Sequence, residues 1–108
     1  MTTPTPGRPA RGSRTGRPIM ALLDLLGRRW ALRVLWELSQ GAAGFRELQM
    51  RCDGMSPSVL SQRLRELDGA GIVRTNEAGD YALTSHGREL LPVLSSLNDW
   101  AKEWAART

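Results

Sequence analysis

Residues 56–74 read SPSVLSQRLRELDGAGIVR, and this pattern predicts a helix from Ser56 to Asp68 that runs into a short strand. Ser56 is a favoured N-cap residue, and Pro57 suits the first helical position because its missing N–H needs no partner there. At about 100° per residue, one side of this helix carries the apolar residues Val59, Leu60, Leu64 and Leu67. The other side carries Ser58, Ser61, Gln62 and Arg65. Such hydroxyl, amide and guanidinium groups bind base edges and phosphates, but they also form ordinary solvated helix faces.

The chain is short and ordinary in composition. Its 108 residues, 41% hydrophobic and 24% charged, predict one small globular domain. We find no apolar run of about 18 residues and no secretory signal, so we expect a cytoplasmic protein without a membrane span. A single cysteine, Cys52, excludes an intramolecular disulfide and a thiolate metal cluster. We therefore predict no metal and no cofactor.

Positive charge is concentrated at the N-terminus. Residues 1–18 contain four arginines and no acidic residue, whereas residues 19–108 contain eleven basic and eleven acidic residues. The segment is also rich in Pro, Gly, Thr and Ser, so residues 1–17 are predicted to form a disordered basic arm and residues 18–108 the folded domain. The arm would either attract phosphates through Arg11, Arg14 and Arg17 or serve only as a solubilising leader.

Three predicted helices precede the Ser56 helix. Residues 19–26 are apolar on almost all sides and end at Gly27, which predicts a short first helix that meets another subunit. Residues 29–40 have the spacing of a core helix, with Arg33 and Glu37 four positions apart. Residues 45–52 form a third helix before the turn at Asp53 and Gly54. Helix, short turn and helix with a polar face is the arrangement in which the second helix enters the DNA major groove.

The C-terminal part predicts a small wing and a long helix. Residues 72–75 and 80–83 are expected to pair as strands across the loop 76–79, so the fold class is mainly α with a small β-hairpin wing. Thr84 or Ser85 would cap a final helix with an apolar stripe about 180° wide. So broad a stripe suggests two packing partners. Pro92 lies inside this helix and is expected to bend it. We therefore predict a homodimer joined by the first and last helices through Leu22, Leu26, Leu97, Trp100 and Trp104.

Several short strings occur in a fixed order along the chain. They are LLGRRW at 25–30, FREL at 45–48, GMS at 54–56, LSQRLREL at 60–67, GIV at 71–73, YALT at 81–84 followed by Gly87, and Leu97 with Trp100. With these strings, residues 18–104 resemble the HxlR-type winged helix-turn-helix transcriptional regulators, a bacterial family related in architecture to the MarR type. The resemblance implies a dimeric DNA-binding regulator whose Ser56 helix reads the operator.

Three positions depart from the family's pattern. Arg17 stands where the family typically has a cysteine, which excludes thiol sensing there. The wing loop is short and carries Glu77 and Asp80, which repel phosphates and argue against insertion of the wing into the minor groove. Gly44 replaces an arginine that commonly precedes the phenylalanine, so one phosphate contact is lost. The basic arm would then be the alternative source of phosphate affinity.

The predicted DNA contacts fall into two groups. Base edges would be read by Ser58, Ser61, Gln62 and Arg65, with Gln62 suited to adenine and Arg65 to guanine. Phosphates would be bound by Arg46, Arg74 and the arm. Arg63 lies near the packed side and is expected to pair with a carboxylate such as Glu47 or to reach a flanking phosphate. A two-fold dimer would present two Ser56 helices about 34 to 36 Å apart to a pseudo-palindrome.

Other interpretations remain open at this stage. The same fold could be a winged-helix protein–protein interaction module that does not bind DNA. Catalysis has no visible basis, because His86 has no metal-ligand or nucleophile partner nearby in the sequence and Cys52 reads as a small buried hydrophobic residue. The four tryptophans, Trp30, Trp36, Trp100 and Trp104, favour an interface, although a pocket for a small-molecule effector is possible.

Overall fold

The computed structural model describes Pro6 and residues 17–108. In chain order, the elements are α1 Pro18–Leu26, α2 Ala31–Ser39, α3 Phe45–Arg51, α4 Pro57–Gly69, β1 Val73–Thr75, β2 Tyr81–Leu83, α5 Ser85–Arg88 and α6 Leu91–Arg107. The chain has the predicted mainly helical fold with a two-stranded hairpin. The predicted arm residues Arg11 and Arg14 lie outside the described residues.

The hydrophobic core lies between α2, α3, α4 and the hairpin. Its largest fully buried side chains are Val34, Leu35, Leu48, Cys52, Leu60, Leu67 and Val73. Cys52 is therefore the buried hydrophobic residue that its spacing from Phe45 and Leu48 predicts. Trp30 and Trp36 are partly buried against this core. Helix α2 begins at Ala31 rather than Arg29, because Trp30 has a left-handed backbone with φ 75°.

The hairpin is antiparallel, with Val73 opposite Leu83 and Thr75 opposite Tyr81. Gly79 has φ +85° and allows the tight turn between the strands. The Asn76 side-chain oxygen accepts hydrogen bonds from the backbone N–H groups of Ala78 and Asp80, 2.9 and 3.0 Å away. Ala43 extends this sheet by one residue, because its N–H and carbonyl both bond to the Tyr81 backbone. Nothing in the sequence pattern indicates this bridge.

The prediction of a single bent C-terminal helix is wrong, because the chain forms two helices there. Thr84 caps α5, with its hydroxyl oxygen accepting a hydrogen bond from the Gly87 N–H at 2.9 Å. Helix α6 then starts at Leu91, with Pro92 in its first turn. Pro92 cannot donate to the Arg88 carbonyl, so one continuous helix would lose that bond, whereas the first turn of a new helix needs no such donor.

Helix α6 is mostly exposed, and Leu94 is its one buried residue. Its apolar stripe consists of Val93, Leu97, Trp100 and Trp104, each more than half exposed. The rings of Trp100 and Trp104 stack with centroids 5.9 Å apart. On α1, Ile19 and Leu23 are about half exposed, whereas Leu22 and Leu26 are partly buried and Leu26 packs against the core. Within the described part of the chain, no helix is both long enough and apolar enough to cross a membrane.

Candidate nucleic-acid interface

Helices α3 and α4 are joined by a turn that α2 holds in place. Asp53 and Gly54 have positive φ angles of 58° and 72°, which reverse the chain between the helices. Arg33 on α2 reaches this turn, with its guanidinium 3.0 Å from the Asp53 carboxylate and 2.8 Å from the Glu37 carboxylate. The hydrogen bond to Glu37 is the main cause that raises the pKa of Arg33 above its ordinary value. This links α2 to the turn of the helix-turn-helix.

Helix α4 begins at Pro57, as the sequence predicts, but Ser56 does not cap it through its side chain. The Ser56 hydroxyl instead lies 3.0 Å from the Ser58 hydroxyl, so these two groups share a hydrogen bond at the exposed start of the helix. The predicted position of the N-cap is therefore confirmed, but the Ser56 side chain forms no capping hydrogen bond. Both hydroxyls lie at the surface, where a phosphate or base can approach.

The two sides of α4 separate as the spacing predicts. Leu60, Leu64 and Leu67 are buried in the core. Ser58 and Arg65 are exposed, while Ser61 and Gln62 are half-buried. Positions 61 and 62 each lie three or four residues from both 58 and 65, so the four residues share one side of the helix. The Arg65 guanidinium lies 3.5 Å from the Ser61 hydroxyl. Two hydroxyls, one amide and one guanidinium are thus available to one ligand surface.

Arg63 pairs with a carboxylate, as expected, but the partner is Glu66 and not Glu47. Its guanidinium lies 2.6 Å from Glu66, three residues later on the same helix, and donates to the Arg29 carbonyl at 2.8 Å. Glu47 instead pairs with Arg51 on α3, at 3.2 Å. Arg63 pairs with Glu66 within α4, because residues three apart lie on the same face of a helix. Arg63 is therefore held by contacts within the protein and is only partly exposed.

A buried ion network lies beneath α4, and the sequence analysis did not find it. Arg28 lies 2.7 Å from Glu66 and 3.4 Å from Asp24. The side chains of Asp24, Arg28 and Glu66 are all less than a tenth exposed. Charged residues are buried in this way only when they are paired. The available signal was that Arg28 and Glu66 belong to two of the strings that carry the family resemblance.

The predicted phosphate-binding arginines differ in their surroundings. Arg46 is exposed in the first turn of α3 and forms no hydrogen bond or ion pair with the residues that the structure describes. Arg74 is exposed on β1 and pairs with Asp68 at 3.0 Å. Arg17 is exposed at the N-cap of α1. Glu77 is exposed in the loop, so the wing presents the acidic surface that its sequence predicts.

Metal-binding and nucleophilic groups do not gather in the described residues. No group of three or more His, Cys, Asp or Glu side chains that could hold a metal ion occurs among them. Burial raises the pKa of the Cys52 thiol. His86 is exposed, and its nearest carboxylate is Glu89 at 3.6 Å. The arrangement of α3, its turn and α4 is the described feature best suited to bind a ligand.

Comparisons with known proteins agree with this arrangement. Residues 25–108 match the model of the HxlR-like helix-turn-helix family. The chain is 34% identical over 88 residues, 76% of its own length and 82% of the relative, to the uncharacterized HTH-type transcriptional regulator YvaP of Bacillus subtilis. It is 33% identical over 93 residues, 81% of its length and 69% of the relative, to the uncharacterized HTH-type transcriptional regulator sll1512 of Synechocystis.

Among solved structures, the quinone-bound YodB of Bacillus subtilis is similar. Its TM-score to this chain is 0.71 at 31% sequence identity, covering 80% of this chain and 97% of YodB. The similarity therefore extends over nearly the whole of that protein.

Proposed function

Since this chain belongs to the HxlR-like helix-turn-helix family, we propose that it reads a pseudo-palindromic operator as a homodimer. That the chain is a DNA-binding transcription regulator follows from the family match and from relatives named as transcriptional regulators. The protein–protein interaction module without DNA binding is favoured by none of these findings. Those relatives are named as regulators and not as enzymes, and we propose no catalytic role.

The observation that carries the proposal is the polar side of α4. Its opposite side is fixed in the core by Leu60, Leu64 and Leu67, so the polar side faces outward on a rigid support. Helices presented in this way enter the major groove with their N-terminal residues near the base edges. Ser58 lies in that first turn, and Arg65 lies two turns later on the same side.

We assign base contacts to Ser58, Ser61, Gln62 and Arg65. Arg65 is exposed and its guanidinium can donate two hydrogen bonds to guanine O6 and N7. Gln62 can donate to adenine N7 and accept from its N6 amino group. Each such bidentate contact discriminates against a wrong base by about 1 to 3 kcal/mol.

Phosphate contacts are assigned to Arg46, Arg74 and Arg17, together with Arg11 and Arg14 of the N-terminal segment. Arg46 is available for such a contact, because it is exposed in the first turn of α3. These contacts position the protein on DNA and make binding depend on salt, but they do not distinguish sequences.

The dimer is proposed from the apolar surface of α6 and α1. An exposed row of Val93, Leu97, Trp100 and Trp104 is unusual for a monomer in water. A second copy would cover it, with Leu22 and Leu26 or their exposed neighbours Ile19 and Leu23 contributed by α1. Our proposal places any small-molecule effector in the groove between α2 and α6, which is lined by Leu32, Trp36, Leu94, Leu97 and Asn98.

A selection from a genomic duplex library, followed by salt titration of the enriched sequences, tests the proposal. We expect half-sites whose centres lie about 34 to 36 Å apart, and an affinity that falls as salt rises. Enrichment of single, unpaired half-sites would contradict the dimeric reading, and the absence of salt-dependent binding would favour the protein-partner module.

A further inference from the structure

Four charged side chains form one neutral network beneath α4. Asp24 lies on α1, Arg28 lies in the turn after α1, and Arg63 and Glu66 lie on α4. The chain of contacts runs from Asp24 to Arg28 at 3.4 Å, from Arg28 to Glu66 at 2.7 Å, and from Glu66 to Arg63 at 2.6 Å. The network therefore joins α4 to α1, the helix that we place at the dimer contact.

Glu66 is the centre of this network, because both of its carboxylate oxygens are engaged. Oε1 accepts from Arg63, and Oε2 accepts from Arg28. The Glu66 side chain is 5% exposed, so water does not compete for these oxygens. Hydrogen bonds between charged groups in such surroundings are short and directional, which fixes the carboxylate in one orientation.

The same carboxylate reaches toward the DNA side of α4. The Gln62 Nε2 atom lies 3.5 Å from Glu66 Oε2, one helical turn away. Only the nitrogen of a glutamine amide can donate to a carboxylate. Glu66 therefore favours the amide orientation with the nitrogen toward Glu66. The oxygen is then left to accept a hydrogen bond from a base, and the second N–H of the amide to donate one.

We propose that Glu66 is a positioning residue for operator recognition, which orients the Gln62 amide and holds α4 against α1 without touching DNA. This inference rests on the proposed role of Gln62 in base reading. It predicts that the base preference contributed by Gln62 depends on a carboxylate that is buried within the protein.

This role is tested by measuring the affinities of the 108-residue chain for two duplexes of equal length, the selected operator and a scrambled sequence. We expect Glu66→Gln to lower operator affinity about ten-fold, the size of one base contact, and scrambled-duplex affinity less than two-fold. Gln62→Ala should give a similar loss, and the double variant should lose no more than the larger single loss, because both changes remove the same interaction. Glu47→Gln, the same chemical change at an exposed residue of α3, should leave the ratio of the two affinities unchanged.

Equal losses on the two duplexes, or additive losses in the double variant, would overturn the proposal. Circular dichroism and thermal unfolding identify variants that are folded at the assay temperature. If Glu66→Gln does not fold, Arg63→Gln removes one partner of Glu66 at the outer edge of the network, where the side chain is 13% exposed. It should show a smaller loss that is again confined to the operator, and an unchanged operator preference would count against the proposal.

A measurement without DNA separates this proposal from the proposed function. The side-chain amide resonances of Gln62 in the free protein should shift in Glu66→Gln and remain unchanged in Glu47→Gln. Unshifted Gln62 resonances would overturn the positioning role even if the protein binds its operator. Shifted resonances together with an operator affinity that is insensitive to Gln62→Ala would instead contradict the assignment of Gln62 as a base-reading residue.

Discussion

The Arg74 guanidinium on β1 lies 3.0 Å from the Asp68 carboxylate near the end of α4. The two side chains are 58% and 48% exposed, so their pairing contributes at most about 1 kcal/mol to stability. A phosphate can replace Asp68 at this small cost, but the carboxylate remains nearby and repels it. If Arg74 binds phosphate as we propose, Asp68 and the backbone of DNA would compete for the same arginine.

Removal of Arg74 should weaken DNA binding without changing its sequence preference. For Arg74→Ala we expect equal losses on the operator and on random duplex, and a decrease of about one in the slope of log affinity against log salt. Fluorescence anisotropy over a range of salt concentrations measures both. A loss confined to the operator would make Arg74 a base-reading residue instead.

Removal of Asp68 should have the opposite effect. Asp68→Asn keeps the size of the side chain and removes the repelling charge, so both duplexes should bind several-fold more tightly at low salt. The gain should disappear in the double variant Asp68→Asn, Arg74→Ala if it acts through Arg74. A gain that persists in the double variant would show that Asp68 acts on the phosphates directly.

Arg65 is expected to carry sequence preference. Arg65→Ala should lower operator affinity by about 1 to 3 kcal/mol and have a smaller effect on random duplex, because a guanine contact is lost in addition to one charge. The matched control is Arg88→Ala on α5, an exposed arginine outside the helix-turn-helix. Equal loss on both duplexes for Arg65→Ala would contradict its assignment.

The exposed stripe on α6 should hold the dimer together. Trp100→Glu places a charge in the stripe and is expected to yield a monomer with unchanged helical content, as measured by sedimentation equilibrium and circular dichroism. Lys102→Glu changes charge on the opposite side of α6 and should leave the oligomeric state as it is. A Trp100→Glu protein that remains a dimer would place the interface elsewhere.

Gly87 should be intolerant of any side chain, because a Cβ atom there would collide with the Ile72 carbonyl. We expect Gly87→Ala to reduce the free energy of unfolding by about 1 to 3 kcal/mol, through crowding between α5 and the start of the hairpin. Gly54→Ala is a useful comparison, since it has open space but a positive φ of 72°. Urea unfolding of both variants separates crowding from backbone strain; an unchanged stability in Gly87→Ala would contradict the packing described here.

The Cys52 thiol should be unreactive in the folded protein. It is fully buried, and burial raises its pKa above the ordinary value of 9.0. The folded state therefore binds the thiol proton more tightly than the unfolded state does. The contribution of the protonated Cys52 thiol to the free energy of unfolding is present below pH 9.0 and is lost as the pH rises through the folded pKa. A thiol reagent should label Cys52 only after unfolding, and labelling of the native protein at neutral pH would contradict this.

The helices and the hairpin were predictable because their signals are local. The apolar spacing of Leu60, Leu64 and Leu67, the proline at the start of α4 and the glycine of the wing each act within one element. The prediction of one continuous helix through Pro92 failed because apolar residues at helical spacing occur on both sides of this proline. Such spacing does not show where the backbone hydrogen bonding is interrupted.

The buried network was not predictable in the same way. Arg63 is expected near the packed side of α4, but Glu66 is not among the apolar positions that the spacing places in the core. Their partners Arg28 and Arg29 are more than 30 positions away in the chain. Only the packing of α4 on the turn after α1 brings these groups together. Residue spacing within one helix therefore predicted the polar side of α4 but not the buried groups that support it.

If the half-exposed stripe on α6 forms the proposed dimer contact, it would also affect how steeply such a regulator responds to its own abundance. In the proposed dimer, each copy must find a second copy before either stripe is covered, so below the dissociation constant the concentration of dimer rises with the square of the monomer concentration. A two-fold change in the rate of synthesis would then change the amount of operator-binding species by about four-fold. The strength of the contact at Trp100 and Trp104 would thereby set the expression level at which the regulated genes switch.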